Sequence, residues 1–226
     1  MMTKIIRLSA AAMLIVALTS APSVAETITF FSGDGGDQVN GGDAVTIATH
    51  PAWGDVSEYA GLEDDTARWI SFENTGFNAI VTENADSRTI GDETALFTRT
   101  FDLLSDSFFS LWVLADDTAI VRLLGPNGYN NTLLTAFLGQ LDPCAPGGTG
   151  EGLGCVQADM GYAHADLLAG LYTLEIYAFQ TNGVVFGAQY AGQFETVPEP
   201  GSLLLLGTGV VTLFARSRFR RRASSV

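Results

Sequence analysis

Between Glu26 and Thr196 the apolar residues come in short runs that alternate with polar ones, and no long stretch shows the 3.6-residue period of an amphipathic helix. The clearest run is Leu171–Phe179, where Tyr172, Leu174, Ile176 and Ala178 share one face and Thr173 and Glu175 the other. Gln180–Gly183 then reads as a hairpin signal, and Val184, Phe186, Ala188, Tyr190 and Phe194 share a face beyond it. Glu93–Leu103 carries Phe97 and Phe101 on one side, although Arg99 interrupts that face. Phe108–Ala115 is apolar on both faces, the pattern of a central strand covered twice. Asp116-Asp117-Thr118 reads as a turn, from which Ala119–Leu124 returns as a strand, and Gly125–Gly128 as a tight turn. Further β-prone runs are Thr27–Phe31, Val45–Thr49, Ala67–Phe72 and Phe77–Thr82. Leu133–Leu138 suits a strand or a short helix, and Asp166–Gly170 one helical turn. Roughly nine short strands with such turns predict an all-β body over residues 26–196, a jelly-roll-like β-sandwich.

Charge narrows the partners. All 25 acidic residues fall between Glu26 and Glu199, where only Arg68, Arg88, Arg99 and Arg122 oppose them, leaving a balance of −21. Such a surface repels nucleic acid and anionic lipid. Lys4 is the only lysine, so the body can perform neither Schiff-base nor P-loop chemistry. His50 and His164 lie far apart, no Gly-x-Ser-x-Gly elbow occurs and no histidine cluster suggests a metal centre. Two carboxylates would suffice for a glycosidase, but acids scattered over loops read as a solvated surface, and no catalytic residue is assigned. Cys144 and Cys155 are the only cysteines. In an oxidising compartment they are expected to form a disulfide around a glycine-rich loop, since two thiols without histidines do not complete a tetrahedral metal shell.

Three groups of residues could serve a ligand. Gly35-Gly36-Asp37 and Gly41-Gly42-Asp43 repeat six residues apart, and with Asp34 they offer oxygen ligands for calcium or form a plain turn-rich loop. Asp116 and Asp117 read either as a calcium or ligand site at the mouth of the sandwich or as a solvent-exposed turn. Trp53 and Tyr59, in a loop, are the aromatics expected to be exposed and to stack on a sugar, whereas Trp69 and Trp112 lie in strands and are expected in the core.

The two ends of the chain describe export. Lys4 and Arg7 precede the apolar stretch Leu8–Leu18, and Ser23-Val24-Ala25 follows, which predicts a signal peptide over residues 1–25 cut by signal peptidase after Ala25. At the other end, residues 197–201 hold Pro198-Glu199-Pro200, too rich in proline for a regular element. An uncharged run follows from Ser202 to Ala215, and five arginines lie among residues 216–222. Residues 202–216 are expected to form a single transmembrane helix with the basic tail 217–226 in the cytoplasm. The uncharged run would make a helix of about 21 Å against a hydrocarbon core of about 30 Å, so arginine snorkelling must help it to span.

Pro-Glu-Pro, a short apolar helix and a basic tail, in that order, resemble the PEP-CTERM sorting signal. That resemblance implies recognition by an exosortase-type membrane protease at Pro198, Glu199 and Pro200. The body would first be held in the periplasm at the inner membrane, then be passed to the cell surface or released. Within the body, Ala67-Arg-Trp69-Ile70, Phe97-Thr-Arg-Thr-Phe101 and Ala115-Asp-Asp-Thr118 with the following Asn127-Gly128 turn look like galactose-binding-like sandwiches of other exported proteins, although Leu124-Gly125-Pro126 widens the turn. Such folds often bind sugars. The expected function is that of a non-catalytic, surface-sorted protein of an extracellular matrix or biofilm. The alternatives are a carbohydrate- or calcium-binding module, with exopolysaccharide as partner, and a secreted hydrolase. No cofactor is expected, except that calcium is open.

Overall fold

The computed structural model describes residues 25–57, 60–61, 67–79, 81, 87–138, 144, 152–181 and 184–196. Glu26–Thr196 forms a compact unit by itself. The expected signal peptide (Ala25 apart), the Pro-Glu-Pro motif, the transmembrane helix and the basic tail lie outside the described residues, as does Tyr59.

Strands dominate the described residues: β1 (Thr27–Phe31), β2 (Gln38–Val39), β3 (Gly42–Asp43), β4 (Val45–Thr46), β5 (Ile70–Ser71), β6 (Ala95–Leu103), β7 (Ser107–Asp116), β8 (Thr118–Leu124), β9 (Asn130–Leu134), β10 (Gly161–Leu167), β11 (Gly170–Phe179) and β12 (Gly187–Thr196). They make two antiparallel sheets. One runs β10-β7-β12-β5-β4, with β1 also pairing β12; the other runs β3-β2-β6-β11-β8-β9. The body is therefore the expected all-β architecture of two sheets. Among the described residues no helix is long and apolar enough to cross a membrane.

The period-2 pattern places the core between the sheets. Phe109, Leu111 and Val113 of β7, Tyr190 and Phe194 of β12 and Phe30 of β1 meet Phe97 of β6, Val121 and Leu123 of β8 and Leu174 and Ile176 of β11. Gly192 makes room for this packing, because a Cβ there would come within 2.3 Å of the Phe30 ring. Arg99, the charge that interrupts the apolar face of β6, lies over the rings of Phe30 and Phe101 at 5.4 and 5.7 Å from their centroids. A second cluster covers part of the outer face of the β7/β12 sheet. Ile47, Trp53, Val56, Ala67 and Trp69, from the connection between β4 and β5, pack there on Leu114 and Ala191.

Several expectations change. β7 and β8 are not a hairpin: β7 lies between β10 and β12, while β8 pairs with β11 and β9 in the other sheet. Both edges of β7 are occupied, so the chain passes to the second sheet at Asp117. Gln180–Gly183 is likewise not a hairpin, because β11 and β12 belong to different sheets. Asp166–Gly170 is not a helical turn; β10 extends to Leu167 and β11 begins at Gly170. The described part of Phe77–Thr82 is not a strand, since Asn78 takes φ 72°, a left-handed conformation that breaks an extended run. Val45–Thr49 and Ala67–Phe72 shrink to the two-residue strands β4 and β5.

Candidate functional site

The crossings β7→β8 and β11→β12 leave the sandwich at the same end, and they are tied together by Asp117. Its backbone N–H donates to the Phe179 carbonyl at 3.0 Å. Its Oδ2 accepts from the Thr181 backbone N–H at 2.7 Å and from the Thr181 hydroxyl at 2.6 Å. Asp117 is 0% exposed, yet its other oxygen, Oδ1, has no hydrogen-bond partner among the described residues. Asp116 precedes it through a cis peptide bond and is also buried. The Trp53 indole N–H donates to Asp116 Oδ2 at 2.6 Å. Neither aspartate is the solvent-exposed turn that the sequence allowed, because the crossing between sheets draws both inside.

A disulfide between Cys144 and Cys155 closes one side of this place. The segment that ends at Cys155 is held by the strand ends: the Ala115 N–H donates to the Gly154 carbonyl at 2.9 Å, and the Thr118 hydroxyl to that of Leu153 at 2.5 Å. Together Asp116, Asp117, the disulfide, His50, Trp53 and the Val184–Val185 pair line a cleft of about 190 Å³. Donor atoms of Asp116, Cys144 and Cys155 lie within 4.8 Å of one another. The disulfide removes both thiolates as ligands, so the oxygens are what remains for a metal. Oxygen donors suit a hard cation such as calcium rather than zinc or copper.

Trp53 is not an exposed stacking residue. It is 8% exposed, its ring stacks on Trp69 with centroids 4.1 Å apart, and its N–H is spent on Asp116. Its loop folds back onto the outer sheet face because Val56, Ala67 and Trp69 have to be buried together with it. His50 takes the more open position: its ring lies 5.9 Å from that of Trp53 and 5.7 Å from that of Phe77, and its Nδ1 accepts from the Ala52 N–H at 3.3 Å. Trp69 is in the core as expected, but Trp112 is only half-buried, on the outer face of β7.

Asp34, Asp37 and Asp43 do not converge on a cation position. Arg99 pairs with Asp34 and, at 3.2 Å, with Asp37. The Gly33 N–H donates to Asp37 Oδ2 at 2.7 Å, and the Tyr190 hydroxyl donates to Asp37 Oδ1. Asp43 points away, exposed on the short β2–β3 ladder opposite Gln38. Burial works against the Arg99 charge, but the hydrogen bonds and charges of Asp34 and Tyr190 outweigh it and raise its pKa. Burial, with the charge of Asp37 and its hydrogen bond, pushes the Tyr190 phenol well up. The acid pair that looked like a calcium loop is thus met from within, by the Arg99 charge and the Tyr190 hydroxyl. Arg99 and Tyr190 were missed as its partners, although an arginine on an apolar strand face was the available signal. Thr181, which holds Asp117, gave no signal in the sequence.

No curated protein matches the chain. Among solved structures, a family 35 carbohydrate-binding module from Clostridium thermocellum is similar over 74% of this chain and 98% of its own, at 9% identity and TM-score 0.37. An exo-β-1,3-galactanase from Phanerochaete chrysosporium is similar over 75% of this chain and 30% of its own, at 8% identity and TM-score 0.32. The isomalto-dextranase of Arthrobacter globiformis T6 is similar over 74% and 23%, at 12% identity and TM-score 0.31. Residues 196–222 match the PEP-CTERM protein-sorting motif, so the chain carries at its C-terminal end the sorting signal of an exported protein.

Proposed function

We propose that the body is a non-catalytic, calcium-dependent binding module, delivered to the cell surface by its C-terminal signal and working within an extracellular matrix or biofilm. The observation that carries the reading is Asp117 Oδ1, a carboxylate oxygen fully buried and without a donor among the described residues, in a cleft that also holds Asp116. A buried carboxylate oxygen left without a partner costs stability. A hard cation seated between the two aspartates removes that cost, and extracellular calcium at millimolar concentration suits a loosely built oxygen site. The cleft beside His50 and Val184 leaves space for ligand hydroxyl groups to complete the coordination shell. An exopolysaccharide is the partner that this chemistry favours in a matrix. Delivery begins with signal peptidase cutting after Ala25. The helix at 202–216 then holds the body at the inner membrane until an exosortase-type protease acts near Pro198, Glu199 and Pro200. Asp34, Asp37 and Asp43 are left out of the calcium role.

Calorimetry of the full chain with calcium tests the module. Heat of binding that disappears in Asp117→Ala supports it; equal heat in both, or none in either, overturns it. Mass spectrometry of the protein from its native host tests delivery. A new terminus near Pro198–Gly201 is expected, and a chain intact through Val226 would sink the processing step.

A further inference from the structure

Beside the second cluster, on which Trp112 packs, the outer face of the β7/β12 sheet carries a row of aromatic rings. Phe109, Leu111 and Val113 of β7 face the core, which turns Phe108, Ser110 and Trp112 outward. The register with β10 sets Tyr162 opposite Trp112, His164 opposite Ser110 and Asp166 opposite Phe108. The rings follow one another as neighbours: Trp112 and Tyr162 at 5.2 Å between centroids, Tyr162 and His164 at 5.9 Å, His164 and Phe108 at 5.8 Å. Tyr162 is 48% exposed and His164 is exposed. From Phe108 to Trp112 the row spans about 13 Å along the strand, at about 3.3 Å per residue, longer than one sugar ring. No hydrogen bond engages the Trp112 indole N–H, the Tyr162 hydroxyl or the His164 ring among the described residues. Gln193 and Glu195 of β12 stand beside the row, opposite Ser110 and Phe108, and add amide and carboxylate groups.

We infer that this face is a stacking platform for a neutral polysaccharide, separate from the calcium cleft and independent of it. Aromatic faces accept the apolar C–H face of a pyranose, while the unused N–H and O–H groups answer its hydroxyls, together with the Gln193 amide and the Glu195 carboxylate that it meets at 3.3 Å. Charge selects among chains that stack on rings. Asp166 and Glu195 flank the row in a body whose balance is −21, so nucleic acids and acidic polysaccharides are repelled. A bilayer is disfavoured for the same reason, and by the polar residues set between the rings. Rigid rings carrying an unspent polar tip are what a wet, hydroxyl-rich ligand requires.

The test is affinity gel electrophoresis of the full-length chain in detergent, with EDTA present throughout to empty the cleft. The gels contain dextran, xylan, β-1,3-glucan or galactan, with alginate as the acidic comparison. At least one neutral polymer should retard the protein and alginate should not. Tyr162→Ala and Trp112→Ala should each weaken retardation about tenfold, the loss expected of one stacked ring. Tyr162→Phe, which keeps the ring, should stay within about threefold, and a melting curve for each variant separates lost stacking from lost fold. Retardation unchanged in a folded Tyr162→Ala overturns the platform, as does no retardation by any of the four neutral polymers. Retardation that appears only when calcium replaces EDTA would assign binding to the cleft and also overturn it. Loss of calcium binding in Asp117→Ala says nothing about this row, so the two readings fail separately.

Discussion

Asp34 and Asp37 reach their place together with a cation of the chain's own, for Arg99 pairs with both and Tyr190 donates to the second. Asp116 accepts from Trp53 and Asp117 from Thr181, and among the described residues one oxygen of Asp117 meets no donor. Both pairs lie at or beyond strand ends, and both looked alike as oxygen-rich turns. The difference is what the fold does with the charge. A pair compensated by an arginine stapled over core rings serves packing. A pair left with an open oxygen beside a cleft is the one to which we assign the proposed cation.

Loss of the internal cation should have the largest effect. Arg99→Met should destabilise by about 3 kcal/mol, at the low end for a broken buried pair because the guanidinium keeps 14% exposure. Urea unfolding measures it, and a loss below about 1 kcal/mol would mean that Asp37 is not the buried, dependent charge described. Reducing the Cys144–Cys155 disulfide, or Cys144→Ser, should cost about 2–3 kcal/mol through the loop it closes. It should also lower the calcium response, since that loop packs on Ala115 and Thr118 next to one pair only.

Calcium itself should then separate the pairs. At a hundredfold excess over its dissociation constant it should stabilise the protein by about 2.7 kcal/mol. Asp117→Ala should abolish the gain and Asp34→Ala should leave it intact. Thermal melts with calcium and with EDTA read the difference, and an equal gain in both variants would erase the distinction.

The smallest effect concerns Tyr190. Tyr190→Phe loses the hydrogen bond to Asp37 and should cost about 1 kcal/mol near neutral pH. Its folded pKa is raised, so its contribution is complete below the ordinary tyrosine value of about 10. As pH climbs above that value the unfolded chain gives up the proton while the folded chain keeps it, and stability falls. The phenylalanine variant should therefore show a shallower alkaline decline in urea midpoints between pH 9 and 11.5. Parallel curves would indicate that the phenol titrates normally.

Much of the body could be read from residue pattern. The long strands β6, β7, β8, β11 and β12 lie close to where the alternation put them, and their inward faces carry Phe97, Leu174, Ile176, Tyr190 and Phe194 as expected. The short strands β4 and β5 were overdrawn, because two-residue pairings leave hardly any periodic trace. The candidate site was half legible. Asp116 and Asp117 stood out as consecutive acids between apolar runs, but Thr181 is 64 residues from Asp117 and looked like any turn residue. Trp53 sits in a loop, and loop position suggested exposure. Its burial depends on Trp69 and Leu114, which only the packed chain brings together.

The sequence alone determined that the body is all-β, strongly acidic and followed by a sorting motif, because alternation, charge and end motifs are local properties. Which sheet each strand joins was decided by tertiary structure. Alternation states which residues face inward but not which neighbour a strand pairs with, and the hairpins inferred at Asp116–Thr118 and Gln180–Gly183 turned out to be crossings between sheets. Those crossings bury the two aspartates and form the cleft. The same pairing sets β10 beside β7 and gathers Trp112, Tyr162 and His164 into one row. Sites of this kind arise from contacts between residues far apart in the chain, which no local pattern records.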